Sequence, residues 1–162
     1  DFVPTLMPAT QQPFIIKAYR YQGFSIRATE KWGDQTANIL TSEGKTKADA
    51  NATRARWVDV NGISAVPEGR SGVLFLSNPA NFNFPETLRV WPVGENRGVE
   101  NVYVNFNPSQ ERDRVLMPGN RYALKYRMFV YDGRITPQEA ERLWRDYADP
   151  PRVDVRPAGA AW

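Results

Sequence analysis

The sequence predicts an all-β fold, a mostly antiparallel β-sandwich that carries one C-terminal α-helix. Three observations favour it: β-rich segments recur between turn signals, residues 121–131 alternate between apolar and polar side chains, and residues 137–148 repeat apolar side chains at helical spacing. The chain has 162 residues, of which 41% are apolar and 24% charged, as in an ordinary globular protein. One hydrophobic core is therefore expected.

The first segments are an extended lead-in and a predicted strand pair. Residues 1–13 contain three prolines and little periodicity, which is typical of an extended linker. Residues 14–19 and 24–28 are rich in β-forming side chains, and residues 21–23 between them have a turn-like composition. We expect the two segments to pair with each other as adjacent strands.

The middle of the chain contains further strands and a predicted hairpin. Residues 37–40 and 55–60 are separated by a polar loop, and the second run ends at Asn61-Gly62. Because both residues tolerate a positive φ, Asn-Gly between apolar runs indicates a hairpin turn, with residues 63–66 as the returning strand. Residues 72–77 are a largely apolar run, as expected for a strand that is buried on both faces.

The last part of the chain contains an irregular loop, three strands and the helix. Two prolines and three asparagines in residues 78–85 forbid a regular strand. Strands are predicted at residues 88–91, 102–106 and 121–131. Thr136-Pro137-Gln138-Glu139 matches a capping box with Pro at the first helical position, which predicts a helix over residues 137–148. The domain should then span residues 14–149, followed by a Pro- and Ala-rich tail over residues 150–162.

The residue types that are missing exclude several classes of chemistry. The chain contains no Cys and no His, which excludes zinc fingers, iron–sulfur clusters, His-ligated haem and thiol or histidine-dependent nucleophilic catalysis by this chain alone. It also has no Walker loop, no dinucleotide-binding glycine motif and no hydrolase serine motif. We therefore expect no metal and no cofactor.

The charge pattern argues against nucleic acid and membrane partners. The formal net charge is +3, and basic and acidic residues are mixed along the chain, whereas a nucleic-acid surface gathers its cations on one face. The apolar runs are much shorter than the roughly 20 residues that span a bilayer. The chain begins with Asp, so a segment upstream is expected to be removed or absent; the compartment stays open, with export favoured over the cytoplasm.

Several segments, taken in order, resemble a bacterial family known as methane oxygenase PmoA-like. The resemblance rests on residues 24–28, 38–45, 54–59 and 72–82, and it continues through residues 116–119, residues 124–133 and the closing helix. It covers about residues 14–153 and corresponds to the C-terminal half of the family's domain. The resemblance implies part of a galactose-mutarotase-like supersandwich, from bacteria that degrade polysaccharides.

The chain departs from this family in the Asn- and Pro-rich loop. Where many members carry Asp-His-Pro and a later His-Pro, this chain has Ser77-Asn78-Pro79 and Phe84-Pro85. An acid–base role of those imidazoles is therefore lost from this half. A membrane copper oxygenase would need spanning helices and imidazole ligands, so literal methane oxidation is not expected.

Two classes of function remain open. The first is a carbohydrate-active or carbohydrate-binding domain, in which Trp and Tyr side chains stack on sugar rings. The second is a structural or assembly subunit that uses the sandwich for protein contacts only. Whether the chain is an enzyme is left open. Because half of a supersandwich leaves strand edges unpaired, we also expect association with a missing N-terminal half, another chain or a second copy.

Glu43 is the candidate catalytic carboxylate. It lies in a polar loop beside a glycine, where the backbone can approach a ligand, and proton transfer at a sugar hydroxyl or ring oxygen needs such a group. Alternatively, Glu43 pairs with Lys45 or caps a short turn, as glutamates in polar loops commonly do.

Four residues on neighbouring elements are candidates for binding the sugar. Arg27, Asn81 and Arg89 would contact hydroxyl groups, and Trp91 would provide a stacking face. If these residues fail, the cationic strand face of Lys125 and Arg127 is the next candidate. The same face has a simpler interpretation as solvated surface.

Overall fold

The computed structural model describes residues 1–95 and 100–154, so the predicted tail beyond residue 154 lies outside the described residues. The described chain forms eleven strands, each antiparallel to its neighbours, and one helix. These elements are β1 (Thr5–Leu6), β2 (Phe14–Ile16), β3 (Phe24–Arg27), β4 (Ala37–Thr41), β5 (Trp57–Ile63), β6 (Arg70–Ser77), β7 (Thr87–Val90), β8 (Tyr103–Asn107), β9 (Arg114–Leu116), β10 (Tyr122–Ala123), β11 (Tyr126–Asp132) and α1 (Pro137–Ala148).

Two sheets form the layers of a sandwich. The larger sheet has the strand order β11-β6-β5-β4, and the smaller has the order β3-β8-β7. Apolar side chains of both sheets meet in one core, where each of the following is at most 3% exposed: Val58, Val60, Phe75, Leu88, Val104 and Phe106. Burial of this surface is the main favourable contribution to folding. The predicted antiparallel β-sandwich is confirmed, and the described sheets do not close into a barrel.

The helix lies on the opposite face of the larger sheet. Ala140 and Tyr147 of α1 pack against Trp57, Leu74 and Leu76 in a second buried cluster. The helix begins as predicted, because the Thr136 side chain accepts a hydrogen bond from the Glu139 N–H at 3.2 Å. The Glu139 carboxylate, however, binds Arg142, which leaves the capping box half formed.

The predicted hairpin turn at Asn61-Gly62 is wrong. Both residues lie inside β5, and the turn comes at residues 64–69, where Gly69 has a φ of 69° and donates to the Val66 carbonyl at 2.8 Å. Gly62 serves a different purpose, since a Cβ at this position would lie 2.5 Å from the Trp32 ring. The glycine allows a buried tryptophan to pack directly on the strand backbone.

The predicted pairing of residues 14–19 with 24–28 is also wrong. β2 pairs with β9, whereas β3 pairs with β8, so the two segments have different partners. The connecting residues 17–23 do not form a hairpin. They run over the outer face of the smaller sheet, where side chains of β8 bind their carbonyl groups.

The strand predicted over residues 121–131 is interrupted. It divides into β10 and β11 because the Leu124 N–H donates to the Pro4 carbonyl at 3.0 Å and the Lys125 N–H donates to Asn81 Oδ1 at 2.6 Å. The lead-in takes part in the same region, since β1 pairs with β10 and Phe2 forms a bridge with Tyr126. The alternation of apolar and polar residues did not reveal that the backbone N–H groups of Leu124 and Lys125 bind Pro4 and Asn81.

Candidate functional site

Three of the four predicted sugar-binding residues meet on the outer face of the smaller sheet. Arg27 of β3 is the strand partner of Tyr103 in β8, and Arg89 of β7 is the partner of Asn105. Residues two apart on a strand, and their cross-strand partners, share one face. Trp91 follows β7 and donates its backbone N–H to the Tyr103 carbonyl at 3.1 Å, which brings its ring beside Tyr103.

Four aromatic rings follow one another across this face. The ring centroids are 5.9 Å apart for Tyr19 and Tyr21, 5.7 Å for Tyr21 and Tyr103, and 5.2 Å for Tyr103 and Trp91. The first two pairs have edge-to-face geometry, in the range where aromatic rings attract each other. The four rings form a row that begins at Tyr19, in the segment of residues 17–23, and ends at Trp91, just after β7.

Guanidinium groups lie over the faces of these rings. The Arg27 carbon Cζ is 4.7 Å from the Trp91 ring centroid, and the Cζ atoms of Arg20 and Arg89 are each 5.3 Å from that of Tyr21. Such distances are typical of cation–π interactions. We call this set the tyrosine–arginine surface; its members are Tyr19, Arg20, Tyr21, Arg27, Arg89, Trp91 and Tyr103.

Arg89 is a buried member of the surface, and it binds neighbouring side chains through its guanidinium. The residue is 6% exposed, and its guanidinium donates to Asn51 Oδ1 at 2.9 Å, to Glu95 Oε1 at 2.8 Å and to the Tyr21 hydroxyl at 3.1 Å. A buried guanidinium needs such partners, because an unpaired charge away from water is costly. Arg89 was predicted to contact ligand, but in the structure it holds other members of the surface in place.

The Tyr21 hydroxyl receives two hydrogen bonds. Its oxygen accepts from Arg89 Nη2 and from Trp91 Nε1, both at 3.1 Å. Partial burial raises the pKa of this phenol, but the two hydrogen bonds and the charge of Arg89 outweigh it, so the net pKa is lowered.

Asparagine side chains of β8 fix the segment at residues 17–23. Asn105 Nδ2 donates to the Gln22 carbonyl at 2.7 Å, and Asn107 Nδ2 donates to the Tyr19 carbonyl at 2.8 Å. Tyr21 and these asparagines were not among the predicted site residues. The two-residue alternation of a strand places Asn105 and Asn107 on the face opposite Val104 and Phe106. Only the structure shows that the segment with Tyr21 covers these asparagines.

Trp91 does not offer the free stacking face that was expected of it. Its side chain is 8% exposed, and Arg27 lies over the ring. The aromatic surface that reaches solvent belongs instead to Tyr19, which is 55% exposed, and to the half-buried Tyr21 and Tyr103.

Asn81 lies in a different place, within a buried polar cluster. Its Nδ2 donates to Glu86 Oε1 at 3.0 Å and to the Lys125 carbonyl at 2.8 Å. Tyr126 donates to the same Glu86 oxygen at 3.1 Å, and Ser77 donates to the other one. We call Ser77, Asn81, Glu86 and Tyr126 the Glu86 cluster. Burial raises the pKa of the Glu86 carboxyl, although the hydrogen bonds it accepts oppose this effect.

Glu43 is not joined to either group by the contacts in the structure. Its carboxylate accepts from Arg56 Nη1 at 3.2 Å and from the Ser42 hydroxyl at 3.1 Å, beside the start of the helix. Lys45, the partner considered from the sequence, pairs with Asp49 at 3.1 Å. Whether Glu43 takes part in chemistry stays a prediction.

The cationic alternative, Lys125 and Arg127, also lies elsewhere. Arg127 binds the Asp1 carboxylate through Nε at 2.5 Å and lies over the Tyr147 ring at 4.7 Å.

Within residues 1–95 and 100–154, no group of three or more acidic side chains is arranged to hold a metal ion. The helix in these residues, α1, is too short and too polar to cross a membrane.

Comparison with known proteins identifies the family. No curated protein and no solved structure gives a significant match. A family model described as a family of unknown function, DUF6807, matches residues 1–145, which include β1 to β11 and most of the helix. The chain therefore belongs to the DUF6807 family.

Proposed function

We propose that the tyrosine–arginine surface binds carbohydrate, and that this chain acts as a carbohydrate-binding domain. The observation that carries the proposal is the row of ring contacts from Tyr19 to Trp91, with the exposed Arg20 and Arg27 on the ring faces. The exposed ring of Tyr19 provides an apolar surface for the C–H groups of a sugar ring, and the guanidinium groups donate to its hydroxyls.

The charges of this surface favour an acidic carbohydrate. Three arginines belong to it, and Glu95 neutralises only Arg89 by direct contact. Arg20 and Arg27 are exposed and form no salt bridge with a described acidic residue, so they are available to carboxylate groups of a uronate polymer. Such binding should weaken with added salt, because exposed charges are screened.

The resemblance to the PmoA-like family supports the same proposal. It implies a mutarotase-like supersandwich in bacteria that degrade polysaccharides, and a carbohydrate-handling role agrees with the surface described above. Fold analogy alone does not assign function, so the proposal depends on the geometry of the surface.

Isothermal titration with polygalacturonate, and with a neutral galactomannan for comparison, tests the proposal. We expect Arg27→Ala to weaken polygalacturonate binding about tenfold or more, since it removes a charge-assisted contact. Arg127→Ala is the matched control, because Arg127 also lies over an aromatic ring, at 4.7 Å from the Tyr147 centroid. A flat titration with both polymers, or an equal loss in both variants, would contradict the proposal. Glu43→Gln, tested in parallel, should leave binding unchanged at this surface.

A second candidate function is assembly with another copy or chain. The larger sheet extends past the smaller one at β11: Tyr126 is buried, whereas Met128 and Val130, which share its face, are 49% and 72% exposed. An edge strand with an uncovered apolar face is a site where another strand or layer can add. Light scattering of wild type and of Val130→Lys distinguishes this function: a monomer at all concentrations would contradict it, and an oligomer that Val130→Lys dissociates would support it.

A further inference from the structure

A cavity lined by apolar and polar residues lies next to the segment that carries Tyr21. It has a volume of about 300 Å³, and its walls include Leu6, Ile16, Gln22, Ser109, Arg114 and Leu124. Leu6, Ile16 and Leu124 make the cavity largely apolar, and the polar residues Gln22, Ser109 and Arg114 also line it. A small apolar cavity with a few convergent polar groups is the usual form of a small-molecule site.

Arg114 is the charged group of this cavity. Its side chain is 6% exposed, and its Cζ lies 4.7 Å from the Phe82 ring centroid and 5.5 Å from that of Tyr122. Within residues 1–95 and 100–154, no carboxylate or other acceptor binds its guanidinium, and burial lowers the pKa of the group. Two aromatic faces partly compensate the charge, but the five N–H donors of the fork have no acceptor among these residues.

Gln22 and Ser109 add an acceptor and a hydroxyl. Gln22 Nε2 donates to the Lys17 carbonyl at 2.6 Å, which fixes the amide, while Oε1 is buried and has no partner among the described residues. Ser109 is 2% exposed and uses its backbone for its bonds, accepting from the Tyr19 N–H and donating to Asn107 Oδ1. Its hydroxyl is thus left for a further hydrogen bond. An unpaired buried polar atom such as Gln22 Oε1 is uncommon and calls for an explanation.

We infer that this cavity binds a small hydroxylated carboxylate, with the carboxylate on Arg114 and a ligand hydroxyl donating to Gln22 Oε1. A planar carboxylate matches the fork of one guanidinium, and a single cation suits a monoanion better than a phosphate dianion. The Ser109 hydroxyl can bind either group. The apolar walls accommodate the carbon chain. This site is separate from the tyrosine–arginine surface and does not depend on carbohydrate binding there.

Calorimetric titration with five probes tests the chemistry of the ligand: D-glycerate, D-glucuronate, propionate, glycerol and inorganic phosphate. We expect glycerate or glucuronate to bind about tenfold or more tightly than propionate, which lacks the hydroxyl, and glycerol, which lacks the charge, to show no binding. Flat titrations with both hydroxycarboxylates would overturn the inference. Phosphate binding as tightly as either of them would overturn the assigned ligand class.

Variants test the assigned residues. Arg114→Met should abolish binding of the hydroxycarboxylate, and Ser109→Ala should weaken it. Arg112→Met is the matched control, because Arg112 lies over the same Phe82 ring at 5.0 Å but does not line the cavity. Loss of binding in Arg112→Met to the same extent as in Arg114→Met would overturn the assignment.

Thermal melting separates a binding role from a structural one. Since a buried, unpaired charge is costly, ligand-free Arg114→Met should melt no lower than wild type, while the ligand-induced rise in Tm should disappear. A large fall in Tm for Arg114→Met, together with no ligand-induced rise in wild type, would show that Arg114 only supports the fold. The outcome is independent of polygalacturonate binding, which Arg114→Met should leave unchanged.

Discussion

The Glu86 cluster and the tyrosine–arginine surface are both polar groups built on β-strands, but they differ in how their charges are paired. In the Glu86 cluster, a carboxyl that is fully buried accepts from three neutral side chains, and no cation among the described residues pairs with it. In the tyrosine–arginine surface, one buried arginine is paired with Glu95, and exposed arginines lie on ring faces. The comparison shows that a predicted site residue can belong to a sealed, structural cluster or to an open surface, depending on the partners that surround it.

Removing the buried carboxyl should produce the largest loss of stability. Glu86→Ala leaves the hydroxyl donors of Ser77 and Tyr126 unpaired, removes one of the acceptors of Asn81 and opens a cavity, so we expect the free energy of unfolding to fall by about 3–5 kcal/mol. Chemical denaturation followed by circular dichroism measures it. Glu86→Gln retains the volume and an acceptor and should cost far less. Equal losses in the two variants would mean that hydrogen bonding does not explain the cluster.

Removing the Tyr21 hydroxyl should have a smaller effect. Tyr21→Phe deprives Arg89 Nη2 and Trp91 Nε1 of a shared acceptor, but Arg89 keeps Asn51 and Glu95. We expect a loss of about 1–2 kcal/mol in the free energy of unfolding. A loss as large as that of Glu86→Ala would remove the distinction between the two clusters.

The two regions should also differ in how pH affects them. The folded-state pKa of Glu86 is raised, so the native protein holds more protons than the unfolded chain, and stability falls as pH rises from the unfolded pKa of about 4.3 through the folded pKa. Relative to Glu86→Gln, wild type should therefore lose stability across this window. The effect amounts to about 1.4 kcal/mol for each unit by which the pKa is raised.

Glu111→Gln provides a control of opposite sign. Hydrogen bonds from Thr87 and then Arg54 lower the pKa of Glu111, so wild type should gain stability relative to this variant as pH rises through the range below the ordinary pKa. Denaturation curves for both pairs at several pH values measure the difference. The same sign in both pairs would contradict the assigned pKa of Glu86.

The smallest effect on stability is expected for Arg27→Ala. Arg27 is exposed, and it contributes cation–π contacts with the rings of Trp91 at 4.7 Å and Tyr103 at 6.0 Å, so the loss should be about 0.5–1 kcal/mol. Thermal or chemical denaturation measures it beside polygalacturonate binding. A large binding defect with little loss of stability would sharpen the contrast with Glu86, whereas a loss above about 3 kcal/mol would place Arg27 among the structural residues.

Local patterns predicted the elements better than their partners. The helix could be predicted from Thr136 and Pro137, and the strands from β-rich runs, because these signals act within a few residues. Asn61-Gly62 misled the prediction because the glycine is required by Trp32, which lies about 30 residues earlier. β2 pairs with β9 and β3 pairs with β8, and both partners lie far away in the sequence. No local pattern specifies such distant partners.

The candidate site was predictable in part for the same reason. Arg27, Arg89 and Trp91 are strand or strand-end residues, so their face follows from alternation once the order β3-β8-β7 is given. Tyr21 lies in a connection, and its role arises from contacts with β7 that sequence spacing does not contain. Asn81 was predicted to bind a ligand because the sequence does not show that its side-chain amide binds the backbone of Lys125, 44 residues away.

The manner in which residues 17–23 are held has a consequence for variation and engineering. Asn105 and Asn107 bind the carbonyl groups of Gln22 and Tyr19, and a carbonyl is present whatever the side chain. Positions 19 and 20 can therefore be changed without loosening the segment, in the way that a binding loop on a rigid scaffold is diversified. A library built at these positions would select new ligand preferences on the same backbone, while Asn105 and Asn107 must stay constant.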